Sequence, residues 1–343
     1  MPHRFIEACF RRTVDRTPVW MMRQAGRYLP EYRAIRAKVG FLELCKTPDL
    51  AAEVTLQPVD ILGVDAAILF SDILVVCEAM GMPLILEDQG PQFPAPLQTR
   101  ADVDRLHVPD PEGELGFVME AIRRVRRQLA DRVPLIGFCG APWTLAAYMI
   151  EGKTSRSFEK AKALLMGDEP LAHALLTKIT DSLILYLNAQ LAAGAQAVQI
   201  FDSWAGALGP QDYAVFGAPY IARLIAGLKR DGQPVIVFGV ETGELLVQLA
   251  KTGADVVGVD WRVPLDAARR RVGASVALQG NLDPAALFLP LPALQKRVAR
   301  VLELADRAGP GFVFNLGHGI LPGTPVESAK ALVEQVQAHT PSR

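Results

Sequence analysis

Half of the 343 residues are hydrophobic, so the chain can bury a large core, and α/β barrels reach this length as one domain. A formal net charge of -1 leaves no excess of positive charge to displace counterions from a phosphate backbone, which argues against general nucleic-acid binding. Asp60, Asp65 and Asp72 break the longest apolar runs, so no membrane span is expected.

The opening residues, Met1 to Glu7, lack the apolar run of a secretory signal. Cys9, Cys45, Cys77 and Cys139 form no C-x-x-C pair and read as reduced core thiols, as expected of a cytoplasmic protein.

In chain order, short apolar runs bounded by turn residues mark the buried strands of a parallel sheet covered on both faces. They fall at Pro18 to Met22, Ala66 to Phe70, Leu135 to Cys139, Ala197 to Phe201, Pro234 to Phe238, Asp255 to Val259, Val276 to Gly280 and Phe312 to Leu316. Apolar residues at three- and four-residue spacing predict helices over Leu171 to Leu191, Gly243 to Lys251 and Val326 to Gln337. Eight strands alternating with helices predict an α/β fold, a single (β/α)8 barrel domain over residues 1–343. The segments Gly81 to Leu86 and Pro91 to Pro94, on either side of Asp88-Gln89-Gly90, predict a hairpin inserted between the second and third strands. Before the last helix, Thr324-Pro325-Val326-Glu327 predicts an N-cap threonine, a proline at the first helical position and a capping box.

In such a barrel the residues just past each strand converge on one mouth. Here these are Arg23, Gln24 and Arg27; Ser71 and Asp72; Gly140 to Trp143 leading to Tyr148; Asp202 and Ser203; Asp260 to Arg262; Asn281 and Asp283; and His318. Arg23 and Arg27 bracket Ala25 and Gly26, and Arg33 and Arg36 follow. Each guanidinium can grip a carboxylate or phosphate by two parallel hydrogen bonds, so the natural guest is polyanionic. Taken singly, Arg23 and Arg27 read as surface charges, Tyr148 as a core tyrosine, His318 as a tie for its own loop and Asp72 as a helix cap. Their convergence on one rim favours a functional site. Phe138, Ile73, Phe201 and Trp204 read equally as walls of that site or as barrel filling.

The stretches Met22 to Pro30, Phe70-Ser71-Asp72-Ile73-Leu74, Gly140-Ala141-Pro142-Trp143-Thr144, Phe201-Asp202-Ser203-Trp204, Gly280 to Pro284 and Asn315-Leu316-Gly317-His318-Gly319 resemble the uroporphyrinogen decarboxylase family, in order, from about residue 5 to about residue 338. The resemblance implies a cofactor-free, metal-free carboxy-lyase of heme and tetrapyrrole synthesis. Such an enzyme, usually a homodimer, removes carbon dioxide from the four acetate side chains of uroporphyrinogen III to give coproporphyrinogen III. It further implies that Arg23, Gln24, Ala25, Gly26, Arg27, Asp72, Tyr148, Ser203 and His318 line the substrate site, with Arg36 added to the rim. Asp72, Arg23, Tyr148 and His318 are the catalytic candidates, and the proton donor stays open among Arg23, Tyr148 and His318.

Two rivals are weighed against this. A zinc-dependent corrinoid or thiol methyltransferase on a similar barrel needs a His-x-Cys pair and a distant cysteine. Here His318 is followed by Gly319 and Ile320, and no cysteine follows Cys139. A non-catalytic tetrapyrrole carrier would need the arginine rim but not Asp72, Tyr148 and His318 together. A nucleotide enzyme is disfavoured, because Gly317-His318-Gly319 lacks the third glycine of a dinucleotide fingerprint.

Overall fold

The computed structural model describes residues 3–87 and 90–341. Among these the strands are β1 (Ala67–Ile68), β2 (Ile85–Glu87), β3 (Gly90–Gln92), β4 (Leu135–Gly140), β5 (Ala197–Asp202), β6 (Val235–Gly239), β7 (Val256–Gly258), β8 (Ala277–Leu282) and β9 (Phe312–Leu316). Seven of them form one all-parallel sheet in the order β1-β4-β5-β6-β7-β8-β9. Helices separate successive strands and cover the outside, as right-handed parallel connections require.

The sheet closes on itself through the first predicted strand, which is present in place but pairs unusually. Val19 makes a parallel bridge to Phe314 on β9, and the Val19 carbonyl accepts from the amide of Asp65, just before β1, at 2.7 Å. Three amides of this segment go to side chains rather than to a backbone ladder. Val19 N donates to Asp65 Oδ2, Met21 N to Gln24 Oε1 and Met22 N to Asn315 Oδ1, each at 3.0 Å. The eighth stave therefore registers as a bridge, and the ring is still complete.

β4 and β5 are buried along nearly their whole length, as strands covered on both faces must be. The barrel interior carries a polar chain: Trp20 Nε1 donates to Gln279 Oε1, and Gln279 Nε2 donates to Gln199 Oε1, each at 3.0 Å. These bonds pair the Gln279 amide at both ends, while Gln199 Nε2 has no partner among the described residues. All four cysteines are free and buried.

The inserted hairpin is present as antiparallel β2 and β3, paired from Ile85 with Gln92 to Glu87 with Gly90. Of its predicted turn, Asp88 and Gln89 lie outside the described residues. The predicted capping box is not formed. The last helix runs Val326–Gln337 with Pro325 at the N-cap and no side-chain cap. The φ of -64° at Pro325 suits the cap itself, so the start falls one residue later than the Thr324 cap expected. No helix among the described residues is long and apolar enough to cross a membrane.

Candidate active site

The mouth of the barrel is built from the loops that follow the strands. The first is the loop Arg23 to Leu29, and its shape is set by backbone constraints. Arg23 sits at φ +60°, a left-handed conformation that a non-glycine residue adopts only when its surroundings hold it there. The surroundings are explicit. Gln24, fully buried, donates from Nε2 to the Ala66 carbonyl at 3.0 Å while its Oε1 caps Met21 N. On the far side Ile320 N donates to the Met22 carbonyl at 2.9 Å, joining this loop to the one that carries His318. Gly26 is needed because a Cβ there would lie 2.8 Å from the Arg23 carbonyl oxygen. The sequence reading expected Gln24 to touch substrate. Both ends of its amide bond backbone groups, which ties down the loop that carries Arg23.

Four of the expected residues share one electrostatic neighbourhood. The positive charge of Arg23 acts on Asp72, on Tyr148 and on His318, and the charge of Asp72 acts on Tyr148. Burial pushes the Asp72 carboxyl above its ordinary range, against the pull of the Leu74 amide, which donates to Oδ1 at 2.8 Å, and of Arg23. That hydrogen bond is the local cap the sequence allowed for. It occupies one oxygen lobe only, and a carboxylate has further acceptor capacity. Burial, reinforced by the charge of Asp72, also raises the Tyr148 phenol.

His318 is held neutral. Burial first, then Arg23 and Arg262, lower its pKa from 6.5 to about 4. Its Nδ1 accepts from the amide of Gly319 at 2.6 Å, so in the neutral ring the proton resides on Nε2. The preceding Gly317 fits where no side chain can, since a Cβ there would collide with the backbone nitrogen of Trp261.

Arg23 and Arg27 are exposed, Arg36 is half-buried, and among the described residues none of the three is in an ion pair. Arg27 and Arg36 both act on Tyr32, and Arg36 together with Asp72 acts on Cys45. Arg36 Nη1 donates to the Val39 carbonyl.

Rings continue the wall between these groups. Phe138 and Phe201 meet edge to face at 5.6 Å, Phe201 and Phe238 at 6.2 Å, and Phe238 and His318 at 6.5 Å. Phe238 was read in the sequence only as the end of a strand. That position was itself the signal that it faces the mouth. Tyr148 meets Trp204 at 5.7 Å, which places Ser203, half-buried, on the same loop.

Other rim residues serve the loops. Asp260 accepts from Arg262 N at 2.9 Å and from Arg262 Nη1 at 3.2 Å. Asn281 donates to the Asp260 carbonyl at 2.9 Å and the Val263 carbonyl at 2.6 Å. Asp283 accepts from Ala285 N at 2.9 Å. Among the described residues no three His, Cys, Asp or Glu side chains are grouped to hold a metal ion.

A family model described as Uroporphyrinogen decarboxylase (URO-D) matches residues 2–339. Proteins named uroporphyrinogen decarboxylase from Myxococcus xanthus and Pelobacter propionicus are 58% and 55% identical to the chain. The first alignment covers 99% of this chain and 97% of the relative, and the second covers 98% of each. A solved methyltransferase from Methanosarcina mazei is similar in fold, with a TM-score of 0.82 at 23% identity, covering 98% of this chain and 97% of that one.

Proposed function

The chain belongs to the uroporphyrinogen decarboxylase family, and on that premise we propose that it removes carbon dioxide from the acetate side chains of uroporphyrinogen at the barrel mouth around Asp72. The observation that carries the reading is the shared field of Arg23, Asp72, Tyr148 and His318, with Arg27 and Arg36 outside any ion pair among the described residues.

Uroporphyrinogen bears carboxylates all round a flexible macrocycle, with pyrrole N–H groups at its centre. Arg23, Arg27 and Arg36 supply bidentate donors for the periphery. Asp72, acceptor-only when ionised, collects the inward N–H donors. Burial disfavours its charge, and donors from the substrate offset that cost. The phenylalanine edges and Trp204 face the rings of the macrocycle.

Loss of carbon dioxide needs an electron sink, and the pyrrole provides one. A proton added to the pyrrole α-carbon next to the carbon that carries the acetate gives an iminium-like cation. The electrons of the breaking carbon–carboxylate bond then neutralise that cation as an exocyclic methylene. A proton added to this methylene and one lost from the ring leave a methyl group, so each carbon dioxide consumes one proton overall. Asp72 stabilises the transient cation, electrostatic catalysis with the sign of an oxyanion hole reversed. Arg23 holds the scissile acetate. Neutral His318, with its proton on Nε2, is suited to hydrogen-bond a carboxylate rather than to act as a strong acid, which leaves Tyr148 or a water held by Arg23 as the donor. Ser203, Ala25 and Gly26 complete the lining.

Residues 1–343 act as one catalytic domain in this reading, in the cytoplasm, and two copies form a homodimer. Exposed Phe288, Leu289, Leu291 and Leu321, on the segments that follow β8 and β9, support a second copy at this end of the barrel.

The test is an anaerobic incubation of the purified protein with uroporphyrinogen III, the oxidised products being separated by carboxylate number. Progression from eight carboxylates to four is expected. Unchanged substrate from folded protein would favour a carrier.

A further inference from the structure

The reaction as described makes no use of the most deeply buried carboxylate near the mouth. Asp202, at the end of β5, is fully buried, and among the described residues it is in no ion pair. Its two partners are neutral hydroxyls: Thr144 Oγ1 donates to Oδ1 at 2.7 Å, and Tyr213, on the Pro210–Phe216 helix, donates to Oδ2 at 2.8 Å. A buried carboxylate satisfied only by hydroxyls is costly to keep charged, and burial raises its pKa to about 6.

The geometry around Thr144 gives this group a use. Because an ionised Asp202 can only accept, the Thr144 hydroxyl must spend its proton on Oδ1, which leaves its lone pairs for a second donor. That donor is the backbone N–H of Trp204, 3.1 Å from Thr144 Oγ1. The carbonyl of the same residue accepts from Trp143 Nε1 at 2.8 Å. Trp204 is therefore held on both sides of its backbone by the first turn of the Pro142–Glu151 helix. Thr144 and Tyr148 lie four residues apart on that helix and so share a face, and Trp204 is the ring that Tyr148 meets edge on.

We propose that Asp202, acting through Thr144, is a positioning residue for the decarboxylation, fixing the Trp204–Tyr148 pair within the field of Asp72; this rests on the functional reading above. An asparagine at 202 could accept from one hydroxyl only. Its amide would donate to the other, stranding that hydroxyl's proton. The carboxylate is the group that fits both partners at once.

The test compares Thr144→Val, Thr144→Ser, Asp202→Asn and Tyr213→Phe by steady-state decarboxylation of uroporphyrinogen and by amide hydrogen exchange across residues 202–206. Thr144→Val and Asp202→Asn are expected to lower kcat by about tenfold or more with KM within about twofold, because the arginines still bind while the reacting geometry slackens. Exchange across 202–206 should quicken in both. Thr144→Ser keeps the hydroxyl and should restore both readouts. Tyr213→Phe should lower stability and leave kcat within about twofold of wild type, because Tyr213 does not bond the Trp204 backbone.

Equal kcat in Thr144→Val and wild type overturns the proposal, as does a Tyr213→Phe loss matching that of Thr144→Val. Unchanged exchange across 202–206 in Thr144→Val also overturns it, and this readout applies to a variant with no turnover. A wild-type protein without turnover would instead sink the functional reading.

Discussion

His318 turns Nδ1 onto the amide of Gly319, 2.6 Å away, and so keeps its remaining proton on Nε2. With its pKa near 4 the ring stays neutral through the physiological range. The pH profile of kcat/KM is therefore expected to show no inflection near 6.5 from this residue. A limb at 6.5 that His318→Asn abolishes would show that the imidazole titrates in the free enzyme.

The same shift makes a stability prediction, and Asp202 supplies an opposing one. His318 binds fewer protons folded than unfolded between about 4 and 6.5, so its contribution is present above 6.5 and lost as pH falls towards 4. Asp202 binds more protons folded than unfolded between 3.8 and about 6, so its contribution is present below 3.8 and lost as pH rises through 6. Each amounts to about 3 kcal/mol at full effect. Denaturant unfolding should show the gap between wild type and His318→Asn widening as pH rises from 4 to 6.5. The gap between wild type and Asp202→Asn should narrow over the same range. Parallel curves for either variant would contradict the corresponding shift.

Replacing Asp72 by asparagine removes the negative charge and converts one acceptor into a donor facing pyrrole N–H groups. A loss of about 10²–10³ in kcat is expected, the scale seen when a preorganised electrostatic partner is deleted. A folded Asp72→Asn protein with near wild-type turnover would refute the assignment.

Arg27 and Arg33 should separate binding from structure. Arg27 is exposed and among the described residues makes no ion pair, so Arg27→Gln should raise KM by about tenfold, with a smaller salt dependence, and leave stability unchanged. Arg33 Nη1 donates to the carbonyls of Arg27 and Tyr28 at 2.9 and 3.2 Å. Arg33→Gln should therefore cost about 1 kcal/mol of stability first. Steady-state kinetics and thermal unfolding on both variants decide the point.

Two glycines on the His318 loop should respond oppositely. A Cβ at Gly317 meets the Trp261 backbone, which cannot give way as a flexible side chain would, whereas at Gly323 it meets only the Phe288 ring at 3.5 Å, an ordinary contact. Gly317→Ala is expected to destabilise by about 1–3 kcal/mol and to lower activity by displacing His318. Gly323→Ala should be near neutral in the same assays.

The eight-fold rhythm and the placing of reactive residues at strand ends were legible in the sequence, because buried parallel strands are short apolar runs whatever surrounds them and turn residues mark where each loop begins. That Arg23, Asp72, Tyr148 and His318 are electrostatic neighbours could also be expected, since a barrel brings every strand end to the same mouth.

What the sequence could not decide was which strand-end polar residues are hydrogen-bonded into neighbouring loops. Gln24, Asp202, Asp260 and Asn281 sit at strand ends like Asp72, and nothing local distinguishes them. The distinction lies in where their partners fall: Ala66 for Gln24, Thr144 and Tyr213 for Asp202, and Val263 for Asn281. Only the folded chain brings these donors and acceptors within hydrogen-bond reach. The neutral state of His318 was hidden for the same reason, because burial and the charges of Arg23 and Arg262 come from three separate loops. Strand positions follow from local patterns of apolar residues. Which strand-end groups are tied into neighbouring loops is set by long-range neighbours, and those meet only once the barrel has closed.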